Sequence, residues 1–172
     1  MALEQQFTLE LEWMGDRGTG TSGHRDYGRE HELRAGERPP IAGSADRVFR
    51  GHDDRWNPEL LLLGALAECH MMSYLHVAAG AGVRVVGYRD APSADLVVES
   101  DGSGRMTGAV LRPEIELAEG VDLELAASLH ERAAQLCFIA NSVAFPVRHE
   151  DRLSENHRMA RPLAQMRARS ED

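Results

Sequence analysis

The two cysteines, Cys69 and Cys137, are the side chains whose spacing most clearly suggests chemistry. A thiolate is a strong nucleophile, and two thiols that meet can be oxidised to a disulfide. Each cysteine lies near the end of an apolar stretch that is predicted to be helical. A buried cysteine also serves simply as a small hydrophobic side chain. Because packed helices could bring the two Cα atoms to about 5.5 Å, we favour a redox or catalytic pair.

Charged residues surround the first cysteine in the sequence. Glu68 and His70 flank Cys69, and Glu59 lies in the first turn of the same predicted helix. Three arginines lie just upstream of that turn: Arg47, Arg50 and Arg55. A guanidinium held against a cysteine favours the thiolate, and a carboxylate such as Glu59 can hold the arginine in a forked pair. Ten helical residues, about 15 Å, separate Glu59 from Cys69, so the arginine would have to bridge most of that distance.

Histidines near Cys69 suggest two other kinds of site. His70 and His76 could bind a metal together with the cysteine, but the chain has no C-x-x-C or H-E-x-x-H spacing. We therefore expect no metal and no other cofactor. A cysteine hydrolase would need a histidine that deprotonates Cys69. Neighbouring helical residues point about 100° apart, so His70 is poorly placed for that role.

A long helix must position the first cysteine. Asn57 is a suitable N-terminal cap, and Pro58 is tolerated in a first helical turn. No proline interrupts the segment from Leu60 to Ala79, and glycines follow it. This segment is apolar on nearly all sides. It is also long enough to cross a bilayer. Because three ionisable side chains interrupt it, we expect a central helix enclosed by protein and no membrane role.

The remaining elements predict an α+β domain. Strands are predicted over residues 7–14, 24–35, 83–88, 94–100, 106–117 and 144–150, with a strand or turn over 46–51. Alternation over 7–14 indicates a half-buried strand, and residues 39–43 are predicted as a loop. A second helix is predicted over 122–136 with Asp122 as its cap, and 137–143 continues or restarts it. We expect antiparallel sheets on both sides of the first helix.

Length and charge bound the function. With 172 residues the chain is about one domain, which we expect over 1–150, followed by a polar extension over 151–172. A net charge of −9 leaves no basic surplus for phosphates, so we expect no nucleic-acid partner. No N-terminal segment has the pattern of a signal peptide, so we expect a cytoplasmic protein.

Three segments together resemble the OsmC/Ohr family of thiol-dependent peroxidases. They are NPELL at 57–61, AECHMM at 67–72 and CFIANSV at 137–143. The similarity runs from about residue 7 to residue 147. It implies an α+β fold with central buried helices, whose two chains intertwine into a homodimer with active sites at the interface.

The resemblance also implies roles for individual residues. Cys69 matches the peroxidatic cysteine, Cys137 the resolving cysteine, and Glu59 the glutamate that holds a catalytic arginine. The OsmC branch has this arginine just before a Phe-x-Gly segment, which falls near 47–51 and favours Arg50 ahead of Arg47. The Ohr branch takes it from the first hairpin turn, where Arg17 lies.

The implied activity is reduction of organic hydroperoxides, with hydrogen peroxide as a substrate left open. Cys69 would become a sulfenic acid, and Cys137 would condense with it to form a disulfide. A lipoyl-type dithiol or a small thiol would then reduce the disulfide. The alternative from another class is a non-enzymatic redox sensor or binding module with the same thiol pair. Turnover distinguishes the two, because a sensor is oxidised only once.

Overall fold

The computed structural model describes residues 3–155, which form an α+β fold as predicted. Its helices and strands follow in the order β1 Glu10–Trp13, β2 His31–Arg34, β3 Ile41–Gly43, α1 Pro58–Gly80, β4 Val85–Asp90, β5 Ser93–Val98, β6 Gly104–Leu111, β7 Pro113–Leu117, α2 Leu123–Leu136, β8 Val147–His149 and β9 Arg152–Glu155. The chain divides into two compact units, one ending at Gly64 and one beginning at Ala65. Helix α1 begins in the first unit and continues into the second.

The first unit contains an antiparallel sheet in the order β1-β2-β3. Leu11 lies opposite Leu33, so the first two predicted strands are confirmed and pair with each other. The predicted half-burial of the first strand is wrong for the single chain, because all four residues of β1 are exposed and Leu11 is 65% exposed. The alternation is present in the sequence, but in the structure Tyr27 contacts Trp13 and Leu11 stays exposed.

The predicted loop over 39–43 is wrong in its second half. Ile41 pairs with Leu33, and β3 is the third strand of the sheet. Pro39 and Pro40 cannot donate a backbone hydrogen bond, but both lie before the strand begins, so they do not prevent pairing. A single 3₁₀ turn, Arg47–Phe49, follows where a strand or turn was expected.

Helix α1 begins as the sequence predicts. The Leu60 N–H donates to Asn57 Oδ1 over 2.8 Å, which confirms the cap. Five residues of this 23-residue helix are buried: Leu66, Cys69, His70, Tyr74 and Ala78. Its length and composition would also suit a membrane span, a weak signal that the core helix of a soluble protein gives as well. The remaining apolar side chains of α1 are not fully covered within one chain.

The second unit contains two further sheets, β4-β7-β9 and β5-β6-β8. Two pairs, β6 with β8 and β7 with β9, are parallel, so the sheets are mixed rather than purely antiparallel as expected. A single strand over 106–117 is also wrong, because the chain leaves one sheet and enters the other at Arg112. There the Arg112 backbone N–H donates to the side chain of Asp90, at Oδ1, over 2.7 Å.

The last described strand lies in the predicted polar extension. β9 pairs with β7, with Leu153 opposite Ile115. Leu153 packs against the core of the unit, so the extension begins with an ordered strand rather than a loose tail. The rest of the extension, residues 156–172, lies outside the described residues.

The core of the second unit lies between α1, α2 and the β4-β7-β9 sheet. It contains Tyr74, Ala78, Val83, Ile115, Leu117, Ala126 and Ala133. The Tyr74 hydroxyl donates to the Ala126 carbonyl over 3.1 Å, which joins the two helices. Asp122 caps α2 as predicted, by accepting from the backbone N–H of Glu124 and of Leu125. Helix α2 ends at Cys137, which places the second cysteine at a fixed position beside α1.

Candidate functional site

Cys69 and Cys137 meet in the second unit. Cys69 lies on α1 and Cys137 is the residue that ends α2. Both are buried and both are free thiols. The two thiols lie close enough to interact, since Cys69 raises the pKa of Cys137. The packing of α1 against α2 therefore brings together the two thiols that a reversible disulfide would join.

The surroundings of Cys137 keep its thiol protonated. Burial is the main cause that raises the pKa of Cys137, to about 11, and the neighbouring Cys69 thiol raises it further. The Ala140 N–H lies 3.5 Å from Cys137 Sγ and acts in the opposite direction. At neutral pH the Cys137 side chain is therefore a neutral thiol, which still has a proton to release during a reaction.

Glu59 lies in the first unit, in the first turn of α1. Its Oε2 atom is buried and has no hydrogen-bond partner among the described residues. An unpaired buried carboxylate oxygen is unfavourable, so this atom needs a donor. A cavity beside it is lined by Arg29, His31, Ser44, Ala45, Asp46, Phe49, Pro58 and Glu59.

The arginines named in the resemblance, Arg50, Arg47 and Arg17, form no ion pair with Glu59 in the part of the chain that the structure describes. Arg50 is exposed, and its Nη1 donates to the His24 carbonyl over 2.9 Å. Its backbone has φ 67°, the left-handed region that residues other than glycine rarely adopt. Arg47 lies 3.4 Å from the carboxylate of Asp53 at the surface. Arg17 has no ion pair within 4.0 Å among these residues.

Arg29 is an arginine that the sequence interpretation did not consider. It lines the same cavity as Glu59. Its Nη1 donates to the Tyr27 carbonyl over 2.6 Å, its Nη2 donates to the His24 carbonyl over 3.0 Å, and its guanidinium lies over the Tyr27 ring at 4.2 Å. The available signal was Tyr27 two residues earlier, because a planar guanidinium stacks on aromatic rings. The charged stretch around it hid that signal.

The family OsmC-like protein matches residues 51–150, which is more than half of the chain. The chain belongs to the OsmC-like family. That range contains both cysteines and Glu59 but not Arg29, so the family match does not bear on the choice of arginine.

Solved structures with the same fold include several OsmC-like proteins. An OsmC-like protein of unknown function from Vibrio cholerae is 26% identical, with a TM-score of 0.78 over 87% of this chain and 100% of that one. An organic hydroperoxide resistance protein from Elizabethkingia anophelis is 18% identical, with a TM-score of 0.63 over 90% and 100%. The organic hydroperoxide resistance protein OhrB of Bacillus subtilis is 19% identical, with a TM-score of 0.58 over 86% and 98%. No curated protein matches the chain.

The histidines considered above differ in burial and in partners in this OsmC-like protein. His70 Nε2 lies 3.1 Å from His130 Nδ1, so its hydrogen-bonded nitrogen points to α2. His76 is exposed. Within residues 3–155 no group of three or more His, Cys, Asp or Glu side chains is placed to hold a metal ion. The buried His70 and His130 nevertheless form an aromatic cluster with the half-buried His149, which the sequence did not indicate.

Proposed function

We propose that this protein is a thiol-dependent peroxidase that reduces organic hydroperoxides. The observation that carries the proposal is that the Cys69 and Cys137 thiols lie close enough to interact, on two helices that pack against each other. Membership of the OsmC-like family supports it, as do structural neighbours named as organic hydroperoxide resistance proteins.

In the first step the Cys69 thiolate attacks the terminal oxygen of the hydroperoxide. The O–O bond breaks, sulfur is oxidised to a sulfenic acid, and the alkoxide takes up a proton and leaves as an alcohol. This step needs no metal or organic cofactor. Cys69 is assigned the attacking role on the family resemblance. The raised pKa of Cys137 supports this assignment, because a protonated thiol is a poor initial nucleophile.

In the second step Cys137 attacks the sulfenic sulfur of Cys69. The S–O bond breaks, a disulfide forms, and the hydroxide leaves with the Cys137 proton as water. A dithiol of the lipoyl type or a small thiol then reduces the disulfide and becomes oxidised itself. Such reductants are abundant in the cytoplasm, where we place the protein.

The family resemblance implies an arginine, held by Glu59, that would stabilise the thiolate and the charge that develops on the leaving oxygen. Arg29 is the stronger candidate, because it shares a cavity with Glu59, whose buried Oε2 lacks a donor. Arg50 remains the candidate from the sequence motif. Both guanidinium groups donate to the His24 carbonyl, so the two arginines lie side by side in the first unit.

A homodimer is part of the proposal. Large apolar side chains are exposed in each unit of the single chain, including Leu9, Leu11 and Trp13 in the first and Met72, Leu75 and Phe138 in the second. Phe138 is 78% exposed although it directly follows the buried Cys137. A second copy of the chain is the partner that the family resemblance implies for these surfaces. It would give α1 the enclosure that its apolar composition predicts.

The proposal is tested by counting equivalents of cumene hydroperoxide consumed by wild-type protein with excess dithiothreitol. An enzyme consumes many equivalents per protomer, at a rate that rises with protein concentration. Consumption that stops after one equivalent with the dithiol still in excess would contradict the peroxidase and favour a redox sensor. Hydrogen peroxide in place of cumene hydroperoxide measures the preference for an organic substrate.

A further inference from the structure

Three histidines from three elements of the second unit stack against one another. His70 lies on α1, His130 on α2 and His149 on β8. The ring centroids of His70 and His149 are 4.0 Å apart, and those of His70 and His130 are 5.3 Å apart. His70 is 1% exposed and His130 is 6% exposed. Such burial of neighbouring basic side chains is costly unless all of them stay neutral.

A single hydrogen bond joins the two most buried rings. His70 Nε2 and His130 Nδ1 are 3.1 Å apart, so one nitrogen donates and the other accepts. Asp151 Oδ2 lies 4.0 Å from His130 Nε2, and its negative charge favours a proton on that nitrogen. His130 Nδ1 is then the acceptor, and His70 Nε2 is the donor.

This hydrogen bond joins the helical segments that carry the two thiols. His70 directly follows Cys69 on α1. His130 lies seven residues before Cys137, which is about two helical turns and therefore nearly the same face of α2. A change in the separation of these rings thus changes how closely Cys137 approaches Cys69.

We propose that His70 and His130 are a positioning pair that holds Cys137 against Cys69, and that proton uptake by the histidine cluster in mildly acidic solution releases it. The inference rests on the proposed function for its biological meaning. The geometry it invokes is independent of peroxide.

A proton on either ring works against the hydrogen bond. When both rings are charged, two donors face each other and no acceptor remains. His70 Nδ1 and His130 Nε2 are buried and have no hydrogen-bond partner among the described residues, and the charge of Asp151 offsets only part of the cost that burial imposes on an added proton. Burial, assisted by His149 and His130, lowers the pKa of His70 to about 3. Protons therefore bind mainly after the rings separate, and the separated form gains up to about tenfold per pH unit and per histidine below about 6.5.

Other ionisable groups face the same cluster. They are Asp90, Asp151, Tyr74, Tyr88 and, through its contact with Asp90, Arg112. Burial raises the pKa of Tyr74 to about 12 and raises that of Tyr88, so both phenols stay neutral. The two aspartates favour the charged form of His149, although burial still lowers its pKa. Asp90, whose own pKa burial raises, is the acidic group to control for.

The test measures the equilibrium of the Cys69–Cys137 disulfide in buffers of oxidised and reduced dithiothreitol. Two protein thiols are oxidised while one dithiothreitol disulfide is reduced, so no peroxide enters. Acid-quenched samples equilibrated from both directions at pH 5.5 to 7.5 give the equilibrium constant by mass spectrometry. The proposed peroxidase can fail while this equilibrium behaves as expected, and the reverse also holds.

Two double variants separate hydrogen bonding from titration. His70→Gln with His130→Asn keeps a neutral donor and acceptor near the same positions but cannot take up a proton in this range. His70→Leu with His130→Leu fills the space without the hydrogen bond. His76→Gln, which changes an exposed histidine on α1, and Asp90→Asn are the controls.

At pH 7.5 we expect wild type and the Gln/Asn variant to agree within about twofold. By pH 5.5 the wild-type constant should fall about five- to tenfold relative to that variant. The Leu/Leu variant should lie several-fold below wild type at pH 7.5, while both controls should follow wild type. A Gln/Asn variant that tracks wild type at every pH, or a Leu/Leu variant that equals it at pH 7.5, would overturn the proposal.

Amide hydrogen exchange on unmutated protein keeps the test decisive if the double variants do not fold. Protection factors of residues 130–137, corrected for intrinsic exchange, should fall between pH 7.5 and 5.5 in wild type and in His76→Gln alike. Protection that is constant over this range would contradict release of the pair.

Discussion

The thiol of Cys69, on α1, lies close enough to the thiol of Cys137, at the end of α2, to raise its pKa. Both are reduced in this structure, and 68 positions of sequence separate them. The pairing is possible because the Tyr74 hydroxyl and the core around it hold the two helices together. In the proposed peroxidase this contact makes Cys137 the resolving thiol.

Replacing Cys137 should trap the first intermediate. Cys137→Ser removes the thiol that condenses with the sulfenic acid, so one equivalent of cumene hydroperoxide should leave Cys69 oxidised and long-lived. A dimedone adduct on the peptide containing Cys69, measured by mass spectrometry, reports that species. Wild type should give little adduct and much disulfide. The absence of any adduct in the variant would remove Cys137 from the resolving role.

The arginine is tested by comparing three methionine variants, which keep much of the side-chain volume but lose charge and donors. Arg29→Met should lower the rates of peroxide reduction and of Cys69 alkylation by iodoacetamide at neutral pH, with peroxide reduction falling by about 100-fold. Arg50→Met should have a smaller effect, and Arg47→Met, at the exposed ion pair with Asp53, should have almost none. If Arg50→Met is the most damaging, the sequence-based choice is correct and Arg29 is structural.

Local sequence signals predict the helices and most strands of this protein well. The sequence predicts both helix caps, at Asn57 and Asp122, because a cap acts within a few residues. It also predicts α1 from its continuous apolar run. The break at Arg112 was not readable, since the departure from the sheet depends on a hydrogen bond to Asp90, 22 positions away. The sequence did not predict β9 for the same reason, because β9 pairs in parallel with β7, a strand that is distant in the sequence.

The candidate site shows the same division. The cysteines and Glu59 stand in short motifs that the sequence displays directly. Arg29 lies in a charged stretch, and only folding places it in a cavity with Glu59. The histidine cluster is drawn from α1, α2 and β8, so no spacing in the sequence could have indicated it.

A homodimer makes thermal stability depend on concentration. Because folding would be coupled to association, the midpoint of thermal unfolding should rise with protein concentration. Leu11→Glu, which places a charge on the exposed apolar face of β1, should lower that midpoint and weaken association. Glu10→Gln, on the opposite face of the strand, is the control. A folded monomer of the wild type in analytical ultracentrifugation at micromolar concentration would contradict the dimer.

The buried histidines predict loss of stability in acid. In the folded protein the pKa of His70 is lowered to about 3, and those of His130 and His149 are lowered as well, mainly by burial. Above about pH 6.5 both folded and unfolded states are neutral at these sites. Below it the unfolded state binds protons that the folded state does not, so the free energy of unfolding should fall by up to about 1.4 kcal/mol per pH unit and per histidine.

Urea unfolding between pH 7.5 and 5.5 measures this effect, in a range where most carboxylates stay ionised. Asp90 acts in the opposite direction, because burial raises its pKa and the folded state therefore binds its proton more readily. His70→Gln should reduce the slope with pH, and His76→Gln should leave it unchanged. A wild-type stability that is flat over this range would show that the cluster does not couple to folding.

The central claim is that the sulfur of Cys69 is the atom that hydroperoxide oxidises. Its most direct test is the amount of cumene hydroperoxide consumed per protomer in the absence of reductant. Wild type and Cys137→Ser should each consume about one equivalent, and Cys69→Ser should consume almost none, because a serine hydroxyl supplies almost no anion at neutral pH. Consumption of a full equivalent by Cys69→Ser would contradict the account.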